Sequence, residues 1–235
     1  MSERLDPLGP GLWVAEGGTV SFFGFDYPTR MVVVLLEDGG LWLWSPIAPD
    51  PVLEAEVRAL GPVRHLVSPN KLHHLFLAAW SERFPDARLW GTESTIARFP
   101  KRGFTGQLTD AAPPDWAGEI DQWHFTNSPF LDEMAFFHRA SRTAIVADLS
   151  QPFSAAFLKR HWPLWLRTVA RLAGLTAGRG YPPPEVRFSF RRRAQGRAKV
   201  EALIDCGPDH VVVAHGEIAR SGGTAYLRRA FGWLL

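Results

Sequence analysis

The sequence predicts one domain of mixed α/β structure, a four-layer αββα sandwich with two mixed sheets face to face and helices outside. Short apolar strand patterns occur near both ends of the chain, and helical patterns follow them in each half. Such alternation favours sheets that are covered by helices. The composition, with 46% apolar and 21% charged residues in 235, is typical of a globular core and not of disorder. No repeat or change of composition divides the chain, so residues 1–235 are predicted to form a single domain.

The first half combines a strand hairpin with strand–helix units. Glu37-Asp38-Gly39-Gly40 separates two apolar runs and predicts a hairpin turn. The predicted strands are Leu12–Ala15, Val20–Phe23, Met31–Leu36, Leu41–Trp44, Val63–Val67 and Ala87–Trp90. The predicted helices are Val52–Leu60, Lys71–Phe84 and Ser94–Phe99. In the second of them, apolar residues recur at intervals of three and four.

The second half repeats this alternation after a loop that is rich in Gly, Pro, Thr and Asp, from Lys101 to Gly118. The predicted strands are Ile120–Phe125, Met134–His138, Thr143–Ala147 and His210–Ala214. The predicted helices are Ser154–Leu175, broken near Pro163, then Ser189–Cys206 and Gly223–Leu235. Between the first two of these helices, the Gly- and Pro-rich stretch Gly178–Pro184 predicts a mobile loop.

The net charge and the single cysteine limit the partners and the location that the sequence predicts for this protein. A net charge of +2 is too small to predict a nucleic-acid partner, and the basic run Arg191–Arg193 is typical of a solvated helix face. One cysteine, Cys206, excludes an internal disulfide, and with no signal-peptide pattern it predicts a cytoplasmic protein. No run is long enough for a transmembrane segment. The segment Phe153–Leu175 is predicted to be amphipathic, and attachment to a membrane surface remains an alternative for it.

Three apolar strands end in side chains that can bind a metal ion. Val63–Val67 leads to His73 and His74, Thr143–Ala147 ends at Asp148, and Val211–Ala214 ends at His215. In open α/β sheets, sites collect beyond the carboxyl ends of strands. Imidazole and carboxylate groups are ligands of Zn, Fe and Mn. We therefore predict that these four side chains converge on one ion.

Each of these residues also has a structural interpretation. One of the paired histidines can face the core while the other faces water at a helix start. Asp148 can cap the following helix, and His215 can be a core histidine that is bonded to backbone. Asp132 and Glu133 precede the strand Met134–His138, where they form either a solvated turn or a replacement ligand and general base.

The order of these features resembles the metallo-β-lactamase superfamily over nearly the whole chain. That superfamily places a His-x-His-x-Asp-His motif after a strand, and the matching stretch here is Pro69-Asn70-Lys71-Leu72-His73-His74. Asp148 matches the bridging aspartate of the superfamily, and His215 matches its last histidine. The phrases Arg30-Met31, Leu41-Trp42-Leu43-Trp44-Ser45-Pro46 and Asp132-Glu133 are similar to one uncharacterised branch of it.

The resemblance also shows what is missing. Pro69 and Lys71 stand where the first two motif histidines would be, and no histidine lies near Pro129–Glu133, where the middle one is expected. The first metal position of a two-metal site therefore lacks its three histidines. The second position retains four candidates, which are His73, His74, Asp148 and His215. The resemblance thus implies at most one metal ion, with Zn favoured over Fe or Mn, or none.

Three functions follow from this interpretation. The first is a mononuclear metal-dependent hydrolase of an unnamed small molecule, in which Glu133 or Asp132 takes a proton and Lys71 and Asn70 stabilise negative charge. The second is a binding or scaffold protein without catalysis, in which Lys71 pairs with Asp148. The third is an iron-dependent oxidoreductase that uses the same ligands.

Overall fold

Two β-sheets form the centre of the protein in a computed structural model that describes residues 3–22 and 24–235. The first sheet has the order β1-β2-β3-β4-β5-β6-β7 and the second has the order β11-β10-β9-β8. The strands are β1 Asp6–Gly9, β2 Leu12–Phe22, β3 Phe25–Leu35, β4 Leu41–Trp44, β5 Val63–Ser68, β6 Arg88–Gly91, β7 Gly106–Gln107, β8 Ile120–Phe125, β9 Glu133–His138, β10 Thr143–Val146 and β11 His210–Val213. The predicted strand Val20–Phe23 continues β2, and its last residue, Phe23, lies outside the described residues.

Both sheets are mixed, as predicted. Strands β1, β2, β3 and β4 pair antiparallel with one another in that order, whereas the pairs from β4 through β7 are parallel. In the second sheet, β8, β9 and β10 are antiparallel and β11 runs parallel to β10. The parallel strands β5, β10 and β11 are the ones that precede the predicted ligands.

Eight α-helices flank the sheets within the described residues. They are α1 Pro51–Leu60, α2 Leu77–Arg83, α3 Glu93–Arg98, α4 Ala155–His161, α5 Leu164–Ala173, α6 Pro184–Ser189, α7 Arg193–Asp205 and α8 Gly223–Ala230. Helix α1 begins where the sequence predicts, because Asp50 accepts hydrogen bonds from the backbone N–H groups of Val52 and Leu53. No helix among the described residues is long and apolar enough to cross a membrane.

Three apolar cores define four layers. The central core lies between the sheets, where Trp42 and Trp44 of β4 meet Met134 and Phe136 of β9 and neighbouring residues. The outer face of the first sheet packs against α1 and α2, and the outer face of the second sheet packs against α7 and α8. The αββα sandwich is therefore confirmed, and the hydrophobic effect drives the burial of both faces of each sheet.

The predicted helix Lys71–Phe84 is wrong for its first six residues, because α2 begins only at Leu77. Local side-chain hydrogen bonds replace the helical ones there. The Ser68 hydroxyl donates to the carbonyl oxygens of Asn70 and His73, and the Asn70 side chain accepts from the backbone N–H of Leu72. Ser and Asn side chains compete with helix formation in this way.

Further differences lie in the second half. The predicted break near Pro163 is confirmed, since α4 and α5 are separate helices there. The predicted helix from Ser189 begins at Arg193, and the predicted mobile loop ends in the short helix α6, whose first residue is Pro184. Pro at the first helical position fits because no hydrogen bond is lost there.

Buried histidines make the stability of the protein depend on pH. Burial lowers the pKa of His138 to about 4. An unfolded histidine takes up a proton near pH 6.5. Acid therefore favours the unfolded chain between these two values, so the stability that His138 contributes is present above pH 6.5 and is lost as the pH falls toward 4.

The free energy of unfolding of the wild type should fall when the pH is lowered from 7.5 to 5. In His138→Asn this fall should be smaller by about 1 kcal/mol, a value that allows for partial solvent screening. Urea unfolding at both pH values measures this difference. Ser141 provides the control, because its hydroxyl bonds to Nδ1 of His138 at 2.7 Å. Ser141→Ala should lower stability similarly at both pH values, and an unchanged pH dependence in His138→Asn would contradict the assignment.

Candidate metal centre

Three of the four predicted ligands meet at one end of the sandwich. Ligand atoms of His73, Asp148 and His215 all lie within 4.8 Å of one another. Nε2 of His73 is 3.3 Å from Oδ2 of Asp148, and Nε2 of His215 is 3.4 Å from Oδ1 of the same carboxylate. The three side chains are largely buried. Two imidazoles thus face opposite oxygens of one carboxylate.

A backbone carbonyl fixes the tautomer of His215. Its Nδ1 lies 2.6 Å from the carbonyl oxygen of Pro28, which can only accept a hydrogen bond. The proton of a neutral imidazole is therefore on Nδ1, and the lone pair on Nε2 faces Asp148. A lone pair directed at a carboxylate is unfavourable unless a cation or a second proton lies between them. Such a carbonyl–histidine contact is typical of metal-binding histidines.

His73 is oriented by a hydroxyl and an indole. Its Nδ1 lies 2.7 Å from Oγ of Ser45, and its ring stacks on Trp44 with centroids 6.0 Å apart. Its Nε2 atom is buried and has no hydrogen bond among the described residues. Ser45 follows β4 directly and has a positive φ of 49°, a conformation that side chains other than glycine adopt rarely. The unsatisfied Nε2 is therefore held toward Asp148 by residues at the end of β4.

Two side-chain amides hold Asp148. Nδ2 of Asn70 donates to Oδ2 at 2.9 Å, and Nε2 of Gln151 donates to Oδ1 at 3.0 Å. Burial raises the pKa of the Asp148 carboxyl, but the facing imidazoles of His215 and His73 outweigh burial and hold that pKa well below its usual range. Asp148 is therefore an anion at neutral pH, with a free lone pair on each oxygen for a cation.

Glu133 lies beneath Asp148 and is fully buried. It accepts hydrogen bonds from the backbone N–H groups of Ala147, Asp148 and Leu149 and from Nδ2 of Asn70. Burial and the charge of Asp148 raise the pKa of Glu133 to about 8, against the effect of the three N–H donors. Because Glu133 has no exposed surface, it does not reach a substrate. Its predicted role as general base is corrected to that of a residue that positions the turn carrying Asp148.

Arg30 of β3 connects the first sheet by hydrogen bonds to the turn that contains His215. Its guanidinium donates to the carbonyl oxygens of Val213 and Gly216, the latter at 2.8 Å, and its Nε donates to Glu16 at 2.7 Å. The buried guanidinium therefore satisfies the carbonyl oxygens on both sides of His215. This contact, with the Pro28 carbonyl, brings the end of β11 against β3.

His74 is the predicted ligand that the structure does not bring to the other three. Its ring packs on Phe99 with centroids 3.8 Å apart, and its buried Nδ1 has no hydrogen-bond partner among the described residues. Burial, together with the charges of Arg102 and Arg98, lowers the pKa of His74 to about 4. Because residues 71–76 form turns and not a helix, the two adjacent histidines point to different surroundings.

Lys71 lies at the predicted site without its predicted partner, whereas Asp132 lies outside the cleft. Lys71 lines the cleft above the three ligands but forms no ion pair with any described residue, so the predicted pair with Asp148 is absent. Asp132 forms a short contact with Nε2 of His124, and that histidine and Ser94 lower the pKa of Asp132 against the effect of burial. The side chain of Asp132 does not line the cleft. The structure therefore places Asp132 against His124 and not at the mouth of the cleft, where the sequence predicts it.

A cleft of about 430 Å³ opens above the three ligands. Its apolar wall includes Phe22, Leu75, Phe130 and Val186. Three cations, Arg30, Lys71 and Arg98, also line it. Tyr27 packs edge-on against His215 with centroids 5.2 Å apart. Burial and the charges of Asp148 and Glu185 raise the pKa of its phenol to about 12, so the phenol keeps its proton at neutral pH.

Sequence reasoning missed the residues that orient the ligands. Ser45 was noticed only within a phrase that is shared with the uncharacterised branch, and the carbonyl of Pro28 carries no signal. Gln151 lies three residues after Asp148, and Pro28 lies 187 residues before His215. Only the Gln151 spacing, which suits a local turn, could have been found from the sequence.

Comparisons with known proteins agree with the predicted fold. A family described as a domain of unknown function, DUF4336, matches residues 13–155. This range includes His73 and Asp148 and ends before His215. No curated protein sequence matches the chain.

Solved structures of metallo-β-lactamases are similar to the whole chain. The crystal structure of the DIM-1 metallo-β-lactamase exposed to ceftazidime has a TM-score of 0.65 and 15% identity, covering 98% of this chain and 95% of that one. A metallo-β-lactamase from Pontibacter korlensis has a TM-score of 0.61 and 11% identity, covering 98% and 97%. The rubredoxin oxygen:oxidoreductase from the anaerobe Desulfovibrio gigas has a TM-score of 0.65 and 13% identity, covering 96% and 60%. At these identities the similarity establishes the fold alone, and it confirms the predicted resemblance.

Proposed function

The chain belongs to the DUF4336 family and has the metallo-β-lactamase fold, and from that premise we propose that it is a metal-dependent hydrolase with one divalent ion held by His73, Asp148 and His215. One observation carries the proposal. Nε2 of His215 lies 3.4 Å from one oxygen of the Asp148 carboxylate and, in the neutral tautomer that the Pro28 carbonyl selects, presents a lone pair to it. Nε2 of His73 faces the other oxygen without a hydrogen bond among the described residues. A divalent cation satisfies all three groups at once.

The chain's own residues fit hydrolysis of a small substrate. A bound ion would polarise a carbonyl or phosphoryl oxygen and lower the pKa of water. Lys71 places a positive charge on the cleft, where it can stabilise an anionic group of the substrate. Glu185 lines the same cleft and, unlike Glu133, is exposed, so it is the carboxylate that can accept a proton. The apolar wall favours a substrate with an apolar body and a negative group.

The iron-dependent oxidoreductase remains the second candidate, and one observation favours it. Two histidines and one carboxylate with open positions are also the ligand set of non-haem iron oxygenases. The binding or scaffold alternative stays open, because the same fold can carry different functions. The Lys71–Asp148 pair that would have favoured it is absent among the described residues. Zinc as the metal and a cytoplasmic location stay predictions from the sequence.

Metal analysis of protein purified without added metal tests this proposal. We expect close to one equivalent of zinc in the wild type and less than a tenth of that in His215→Ala. An iron content near one equivalent would favour the oxidoreductase. A metal-free protein that also fails to bind zinc, iron or manganese on titration would overturn both and leave a binding protein.

We predict a single metal site per chain. A second site would need ligands near Pro69 and Lys71, and the Lys71 ammonium repels a dication in a cleft of low dielectric. The other carboxylates near the motif are engaged, since Asp132 pairs with His124 and Glu133 is buried. Calorimetric titration of metal-free protein with zinc should give one tight site. Two tight sites would contradict the prediction, and the double variant Pro69→His, Lys71→His should move the protein toward a second ion.

A further inference from the structure

Helix α5 has two apolar faces, and only one of them is covered. On the inner side Ala170 is buried, and Leu166 packs against the cluster of Phe153, Leu158 and Trp162. On the outer side Leu164 is 72% exposed, Trp165 63%, Val169 49% and Leu172 80%. At about 100° per residue these four side chains fall within an arc of roughly 140°. Single exposed apolar residues are common on proteins, but a continuous helical stripe of them marks an interaction surface.

The segment that carries this stripe is strongly basic. Between Leu149 and Pro184 the chain has five cations, Lys159, Arg160, Arg167, Arg171 and Arg179, and no Asp or Glu, although the whole chain has a net charge of only +2. Lys159, Arg160 and Arg171 are exposed. An acidic group, Asp26, contacts the end of α4, where its carboxylate lies 3.0 Å from Nδ1 of His161. The surface around the stripe is therefore positive.

The body of the protein holds this helix pair in place. Nε1 of Trp162 donates to the carbonyl oxygen of Asp26 at 3.0 Å, and the Trp162 ring packs on Phe153 and Phe25. At the other end of α5, Nη2 of Arg187 donates to the carbonyl oxygen of Ala173 at 2.6 Å. This bond joins α6 to the carboxyl end of α5, and Phe188 of α6 is 85% exposed. The exposed apolar side chains therefore have a fixed support.

We propose that the stripe of Leu164, Trp165, Val169 and Leu172 docks on an anionic membrane surface. Apolar residues with Trp on one face and Lys or Arg around them are the composition of interfacial helices. Anionic headgroups attract such cations, and Trp prefers the depth of the headgroups. A second copy of the chain would instead bring the same cations together. The surface lies next to the cleft, because Pro183, Glu185 and Val186 at the start of α6 line the cleft.

Sedimentation with vesicles tests the docking, and it does not depend on the metal or on catalysis. Wild-type protein should bind vesicles of phosphatidylcholine and phosphatidylglycerol at least about tenfold more strongly than vesicles of phosphatidylcholine alone. Added salt should weaken this binding. The double variant Trp165→Gln, Leu172→Gln should lose at least about tenfold in binding while circular dichroism shows the wild-type fold. Arg171→Gln should bind more weakly than the control Arg64→Gln, which removes one exposed cation outside this segment.

Three results would overturn the proposal. The first is wild-type protein that does not sediment with anionic vesicles at low salt, and the second is a double variant that binds them as well as the wild type. The third is a wild type that self-associates in analytical ultracentrifugation through this face, with the association lost in the double variant and no binding to vesicles. That last result would assign the stripe to an interface between two copies.

Discussion

Replacing Asp148 with asparagine is expected to lower the affinity of the protein for zinc by at least about 100-fold, the upper end of what loss of an outer-shell partner causes. Asp148 carries the negative charge among the three proposed ligands, and both imidazoles face its oxygens. Asparagine keeps the shape but removes the charge, and its amide N–H group would face an imidazole lone pair. Competition with a chromophoric chelator measures the affinity in both proteins.

The control variant is His74→Ala, which removes the neighbouring histidine of the motif. His74 packs on Phe99 and is not part of the cluster of His73, Asp148 and His215. Its removal should therefore change zinc affinity by less than about threefold, as expected of a residue outside the ligand set. Equal loss in both variants would mean that His74 turns toward the ion when one binds. Unchanged affinity in Asp148→Asn would refute the proposed ligand set.

Replacing Glu133 with leucine is expected to lower the free energy of unfolding by about 3–5 kcal/mol, because each buried N–H group left without a partner costs about 1–3 kcal/mol. Three backbone N–H groups, those of Ala147, Asp148 and Leu149, would lose their acceptor. Leucine is close to glutamate in size, so the loss of hydrogen bonds and not of volume dominates. Urea unfolding of the metal-free protein measures the change.

The variant Glu133→Gln separates a structural role from a catalytic one. Its side-chain amide would keep one acceptor oxygen, and the protein would lose about 1–2 kcal/mol of stability, consistent with one imperfectly satisfied group. Metal binding should persist in this variant, since Glu133 positions the turn and does not face the ion. If Glu133→Gln retained full stability but lost zinc, the residue would belong to the ligand set, and its positioning role would be refuted.

The proposed metal site and the proposed membrane surface consist of different residues but lie near each other. The three ligands lie at the floor of a cleft with an apolar wall, and the stripe on α5 lies beyond α6 at the edge of that cleft. An apolar substrate with a negative group is the kind of molecule that resides in a membrane. Docking by α5 would then present the cleft to the surface from which such a substrate enters.

Much of the fold could be predicted because its signals are local. Apolar runs of four to six residues, separated by Gly, Pro and Asp, marked the strands that carry the ligands, and β10 and β11 lie where the pattern placed them. The carboxyl ends of parallel strands meet at one edge of a sheet, so the sequence also predicted that Asp148 and His215 come together. The short strands β1 and β7 were not predicted, because two to four residues are too few to show a periodic pattern.

What the sequence by itself determined is the layered architecture and the chemical type of the ligands, since both follow from periodicity and from residues next to strand ends. Only the tertiary structure decided between His73 and His74, and between a reactive and a buried Glu133. The direction of the two histidines depends on a turn that the Ser68 and Asn70 side chains hold open. The role of Glu133 depends on backbone N–H groups fourteen to sixteen residues away. The Glu133 contacts form only once β9 and β10 pair, because the N–H groups that satisfy this buried carboxylate come from the segment that follows β10.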